Sequence, residues 1–121
     1  MLKHGNSYYE LYYHVVFSTK RRMQVLDKNK IKRINKIARA KAEEIGFLIH
    51  ILNGYKDHIH ILLTIPPSLA VAKVIKDIKG TSSRAIPELT WQEGYYVKSL
   101  KKKDLEAIFE YIENQWIQHQ K

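Results

Sequence analysis

Cysteine is absent from this chain of 121 residues. Its absence excludes disulfide staples and thiolate metal sites, and it fits a reducing cytosolic setting. Any metal ion would have to be held by imidazole, carboxylate or amide groups. Glycine and proline are scarce, at five and three residues, while 45% of the chain is apolar, a composition that suits a packed domain and not a disordered one. No apolar run approaches the length that spans a bilayer. The opening Met1-Leu2-Lys3-His4-Gly5-Asn6 also lacks the apolar stretch of a secretion signal, so a cytoplasmic protein is expected. No repeat, linker or low-complexity tract divides the sequence, which reads as one domain over residues 1–121 with a single modest core.

Acidic charge is also in short supply. Lysine and arginine number 21 against 12 acids, a net of +9. Between Lys20 and Lys41 ten basic residues meet one acid, Asp27, which already gives +9, so the rest of the chain sums to zero. A block of one sign on one element is the footprint of a polyanion partner, although a merely solvated helix face carries the same pattern.

What is present is a regular order of elements. Residues Tyr8 to Thr19 alternate Leu11, Tyr13, Val15, Phe17 against Tyr12, His14, Val16, Ser18, which predicts one strand with an apolar face. From Asp27 to Ile45 the residues Ile31, Ile34, Ala38 and Ile45 fall at helical spacing, with Asp27 as N-cap and Gly46 as terminator. Phe47–Tyr55 and His58–Ile65 flank Lys56-Asp57 as a hairpin, and Pro66-Pro67 ends its second strand. Ser68 is the expected cap of a helix burying Leu69, Ala72, Ile75 and Ile78 and ending near or just beyond Gly80. Tyr95–Ser99 reads as a short strand, and Asp104 as the cap of one last helix. The first six elements match the split β-α-β pattern of an α+β, ferredoxin-like antiparallel sheet with helices on one face, followed by an extra C-terminal helix.

Two places carry chemistry. His58 and His60 stand two apart in an alternating strand, so both imidazoles leave the same face, where they can share a divalent ion. In the last helix Leu105, Ile108, Phe109, Ile112 and Trp116 form an apolar stripe; Tyr111 lies about 120° from its centre and Gln115 about 80° on the same side. Both therefore fall at the border of the buried face. Each feature alone is ordinary, since His-x-His strands are more often half-exposed polar pairs and border Tyr and Gln residues are common. Together they supply a metal pair, a hydroxyl nucleophile and a spare amide oxygen, the parts of phosphoryl transfer through a tyrosine ester.

The chain resembles the small single-tyrosine transposases of the HUH class, of the insertion-sequence 200/605 type. The likeness runs through Tyr13-His14-Val15-Val16-Phe17-Ser18-Thr19-Lys20-Arg21-Arg22, Asp57-His58-Ile59-His60-Ile61-Leu62 and Lys79-Gly80-Thr81-Ser82-Ser83-Arg84. It continues through Trp91-Gln92-Glu93-Gly94-Tyr95-Tyr96-Val97 and closes with Tyr111-Ile112-Glu113-Asn114-Gln115. Five pieces in this order make the match specific.

The resemblance implies His58, His60 and Gln115 as ligands of Mg²⁺ or Mn²⁺ and Tyr111 as the nucleophile that forms a 5′-phosphotyrosine. It implies a partner of single-stranded DNA with hairpin ends, and a homodimer in which the tyrosine helix serves the His pair of the other subunit. Lys20, Arg21, Arg22, Lys32, Arg33, Lys36, Lys79 and Arg84 are the candidate DNA-binding residues, and Tyr8, Tyr9 and Tyr12 can stack bases or serve the core or an interface. Two other classes remain open. A non-catalytic single-stranded nucleic-acid-binding domain of RNA-recognition-motif-like architecture explains the charge without a metal, but Gly94-Tyr95-Tyr96-Val97 is too short a match to that signature. A metal-dependent nuclease acting through water would make Tyr111 dispensable.

Overall fold

The computed structural model describes residues 2–4 and 7–119, with side chains from 8 to 117. In chain order the elements are β1 (Leu2–His4), β2 (Ser7–Tyr9), β3 (Tyr12–Ser18), α1 (Lys28–Ile45), β4 (Leu48–Tyr55) and β5 (His58–Thr64). They continue with α2 (Val71–Ala85), β6 (Tyr96–Leu100), α3 (Leu105–Glu113) and α4 (Gln115–His119). Four strands form one antiparallel sheet in the order β4-β5-β3-β6, while β1 and β2 pair as a separate two-stranded antiparallel sheet. This is the expected ferredoxin-like α+β topology. Among the described residues no helix is long and apolar enough to cross a membrane.

The core forms where one face of the sheet meets α1 and α2. Val15, Phe17, Ile59, Ile61 and Leu63 from β3 and β5 cluster with Ile31, Ile34 and Ala38 of α1 and with Val74, Ile75 and Ile78 of α2. Each fully buried side chain of this size contributes about 1.5–3 kcal/mol. The α1 boundaries follow the sequence reading. Asp27 accepts a hydrogen bond from the backbone N–H of Lys30 at 2.8 Å, and Gly46 takes the left-handed φ of 100° that ends the helix.

Four expectations are corrected. The strand read as Tyr8–Thr19 breaks before Tyr12, where its sheet partners run out: Tyr12 pairs with Thr64 and Leu100, and Pro66 lies just beyond Thr64. Tyr8 and Tyr9 pair instead with Lys3 and Leu2. Ser68 is not the cap of α2; it lies in a turn closed by Leu69 N–H to Pro66 O, and Ala70 is the N-cap, which makes Val74, Ile75, Ile78 and Ser82 the buried row and leaves Ala72 exposed. The same helix runs through Gly80 to Ala85. Its Thr81 and Ser82 hydroxyls donate back to the carbonyls of Asp77 (2.6 Å) and Ile78 (2.7 Å), and Ser82 also accepts from the Trp91 indole. Finally, the last helix is two: α3 stops at Glu113, Asn114 leaves helical geometry, and the Asp104 carboxylate accepts from the N–H of Lys101 and makes no cap bond to α3.

Candidate active site

The face of the sheet opposite α1 and α2 carries the polar alternation of β3 and β5. Here His58 lies between Ser18 and Tyr55, and His60 between Val16 and Asn53. The two imidazoles are 8% and 6% exposed, with centroids 5.1 Å apart. Each is held by a neighbour. His58 Nδ1 lies 2.7 Å from Asp57 Oδ1, and Asp57 also receives the Arg22 guanidinium, Nε to Oδ2 at 3.1 Å. Burial alone would raise the Asp57 carboxyl, but hydrogen bonds from His58 and Arg22, with the Arg22 charge, outweigh it and hold the group below its ordinary range. His60 Nδ1 lies 2.9 Å from Nε2 of His14, whose own pKa is lowered by burial and then by Lys98. Gly54 of β4 passes beneath this pair; a Cβ there would collide with the carbonyl oxygen of His58 and lie 2.9 Å from Ile59 Cδ1.

The helix break positions the other two residues. The side-chain amide of Asn53 donates to the carbonyls of Ile112 (3.0 Å) and Glu113 (3.1 Å), taking up acceptors that end α3 against the sheet. Gln115 then begins α4 and is wholly buried, not at the border of an amphipathic face, because the break at Asn114 interrupts the helical phase. Its Nε2 donates to Tyr111 O at 3.0 Å, and its Oε1 stands 3.4 Å from His58 Nε2. That spacing is near the roughly 3 Å between adjacent ligand atoms of an octahedral ion with bonds of about 2.1 Å. Among the described residues no three His, Cys, Asp or Glu side chains are grouped to hold a metal; beside the two imidazoles, the Gln115 amide oxygen is a further donor that could face an ion. Such a mixed nitrogen and oxygen donor set could hold a divalent ion.

Tyr111 is 42% exposed, with its ring 5.5 Å from that of His60 and 6.3 Å from that of His14. It shares a cleft of about 440 Å³ with His58, Ser18, Arg22, Glu93, Tyr95 and Tyr96. A larger cavity of about 650 Å³ lies between α2 and the following loop, and neither imidazole nor Tyr111 lines it.

Thus His58, His60, Gln115 and Tyr111 come together within one chain, with α3 over its own histidine pair. The candidate DNA-binding residues are spread over three elements. Lys20, Arg21 and Arg22 form a single 3-10 turn beside the cleft, with Arg21 and Arg22 both at the strained φ of 55°. Lys32, Arg33 and Lys36 lie on α1, where Arg33 donates to Ala85 O; on α2 Arg84 is exposed, while Lys79 is tied to Gln92 O and Gly94 O and its pKa is lowered by burial despite Glu93. The sequence reading assigned no role to His14 or Asn53. For His14 the signal was present, since it shares the polar phase of β3 that faces His60. Asn53 carried none, because its partners lie 59 and 60 residues away.

The fold and this cleft define an α+β protein with paired imidazoles facing a tyrosine-bearing helix. Residues 7–115 match the family Transposase IS200 like, and the chain belongs to that family. It is therefore a DNA-processing enzyme of the transposase class. It is 30% identical to the ISDra2 transposase TnpA of Deinococcus radiodurans, over 94% of this chain and 91% of that one. It is 32% identical to the transposase for insertion sequence element IS200 of Salmonella typhimurium, over 85% and 75% of the two chains. A crystal structure of a Deinococcus radiodurans protein assigned as a transposase superposes with a TM-score of 0.76 at 30% identity, covering 95% of this chain and 98% of that one. The REP-associated tyrosine transposase bound to a REP hairpin shares the fold, with a TM-score of 0.72 at 18% identity over 98% and 74%.

Proposed function

We propose that this protein cleaves and rejoins single-stranded DNA at the ends of an insertion sequence, with Tyr111 as nucleophile and His58, His60 and Gln115 as the ligands of Mg²⁺ or Mn²⁺. The observation that carries this reading is a cleft shared by the exposed Tyr111 and His58, with the His60 ring 5.5 Å from that of Tyr111 and the buried Gln115 amide oxygen 3.4 Å from His58 Nε2. The ion, when bound, polarises the scissile phosphate and stabilises the leaving oxygen. Tyr111 Oη attacks phosphorus, a P–Oη bond forms and the P–O3′ bond breaks. The phenolic proton ends, by way of solvent, on the departing 3′-hydroxyl. The 5′-phosphotyrosine conserves the phosphodiester for rejoining by another 3′-hydroxyl, so no water need be activated.

The DNA partner follows from charge and position. Arg22 lines the cleft and Lys20 and Arg21 share its turn, while Lys32, Arg33 and Lys36 on α1 and Lys79 and Arg84 on α2 offer further basic groups across the sheet from it. Recognition of a DNA hairpin is part of the reading, supported by the shared fold of the REP-associated enzyme, whose structure holds a REP hairpin. So is a homodimer: β6 is an edge strand with Tyr96 and Val97 exposed at 52% and 40%, which a second copy could cover.

The test incubates the protein with Mg²⁺ and single-stranded DNA of the element ends and looks for a covalent adduct on a denaturing gel. Wild type should form it and Tyr111→Phe should not, with folding and hairpin binding retained. An adduct on Tyr111→Phe would reject the nucleophile. Mixing Tyr111→Phe with His58→Ala, with subunit exchange verified, separates the two assemblies. Adduct on the chain that keeps Tyr111 supports donation of the helix between subunits, and its absence supports the arrangement within one chain.

A further inference from the structure

We propose that His14 is a positioning residue that sets the tautomer of His60, so that this ring offers the Nε2 lone pair to the divalent ion. The inference rests on the metal reading above and concerns a residue of β3 outside the ligand set. His14 pairs with Leu62 and His60 with Val16, so the two are diagonal neighbours on one face of the sheet. Their rings stack at 5.2 Å and 21°, both are buried, and Nε2 of His14 sits 2.9 Å from Nδ1 of His60.

A neutral imidazole has one N–H and one lone pair, so a hydrogen bond across that distance can run in two directions. If His14 donates, His60 Nδ1 accepts and its proton must sit on Nε2, where it blocks coordination. If His60 donates from Nδ1, its Nε2 carries the lone pair and can bind the ion. Only the second direction is compatible with a ligand, and it requires His14 to accept at Nε2 while carrying its own proton on Nδ1. The same logic is met at His58 by a different group: Asp57 is an acceptor when ionised and takes the Nδ1–H of His58 at 2.7 Å. The two ligand rings are thus oriented by two unlike acceptors, one carboxylate and one imidazole. The carboxylate allows one tautomer of its partner, whereas the imidazole must itself be in the right one.

The test has two readouts besides activity. Ring ¹⁵N NMR of the metal-free protein should find His60 protonated on Nδ1 and bare on Nε2. In Mn²⁺ titrations followed by electron paramagnetic resonance, His14→Leu, which has no acceptor, should bind about 10- to 100-fold more weakly, whereas His14→Gln, whose Oε1 can accept at the same reach, should stay within about threefold of wild type. Circular dichroism and melting of each variant establish that it is folded, and the wild-type NMR measurement stands even where a variant is not. A proton on His60 Nε2 in the metal-free protein, or wild-type Mn²⁺ affinity in folded His14→Leu, would overturn the proposal. His60→Ala separates the two layers: unchanged Mn²⁺ binding there would sink the metal reading itself, whereas a large loss in His60→Ala beside none in His14→Leu would sink only the role of His14.

Discussion

Strand β5 and helix α3 bring the two halves of the cleft together, and they are anchored in opposite ways. All seven residues of β5 are buried, and it is hydrogen-bonded to β3 on one side and β4 on the other. In α3 Ile112 alone is fully buried, while Phe109 and Tyr111 are 37% and 42% exposed. Backbone in the centre of a sheet opens at close to the cost of global unfolding, whereas a peripheral helix opens for much less. The imidazoles therefore sit on a central, fully buried strand, and the tyrosine on a more peripheral helix, with Ile112 as its one fully buried side chain and the Asn53 and Gln115 amides bonded to its carbonyls. Such a division suits the proposed chemistry, in which metal ligands keep a fixed geometry while a tyrosine nucleophile receives and releases a DNA strand.

The comparison can be broken most severely at β5. His58→Ala or His60→Ala is expected to remove strand cleavage by at least about 100-fold while hairpin binding persists, because ligand loss removes transition-state stabilisation and not phosphate contacts. Cleavage at the wild-type rate by either purified variant, at ordinary metal concentration, would contradict the division of labour. At α3 the expected effect is smaller and local. Asn53→Ala removes two hydrogen bonds to Ile112 and Glu113, worth about 1–3 kcal/mol together, and should speed amide exchange in α3 while leaving β5 protected. Equal acceleration in both elements would mean that they open as one unit.

Two further tests reach outward from the cleft. Replacing Lys32, Arg33 and Lys36 by alanine should flatten the salt dependence of DNA binding by about 0.7–0.9 of slope per lost phosphate contact. Because Arg33 is already engaged with Ala85 O, a loss nearer two contacts than three is expected, and an unchanged slope would assign α1 to solvent alone. The mildest effect concerns acid. The folded-state pKa of Asp57 is depressed, so its contribution to stability is present above the ordinary carboxylate range and is lost as pH falls through the folded value. Wild type and Asp57→Asn should therefore differ in melting temperature near neutrality and converge at low pH. The gap should be modest because Arg22 is 65% exposed. A gap that widens on acidification would contradict the sign.

Elements with a strong local signal were legible in the sequence. The helix from Lys28 to Ile45 followed from its cap, its terminating glycine and its apolar spacing, and the His58 strand from its alternation. What the sequence did not reveal depended on partners distant along the chain. The extent of the first strand was set by where Thr64 and Leu100 end, and the split of the last helix coincides with the cap from Asn53. At the site the same distinction holds. His58, His60, Tyr111 and Gln115 could be picked out by spacing, but the burial of Gln115 depended on a break that a helical wheel cannot contain. His14 shared the right face in the sequence, yet only the pairing of β3 with β5 sets it diagonal to His60.

Gly54 shows that a position can be constrained by what it lacks. Even the smallest side chain there would press on the His58 carbonyl, and the strand carrying both imidazoles would have to yield or the hairpin slip. Mutational tolerance along β4 is therefore expected to be uneven in a way that charge or polarity would not reveal. Outward-facing Leu48 is free to vary, whereas residue 54, with no functional group of its own, should be as intolerant of replacement as a ligand.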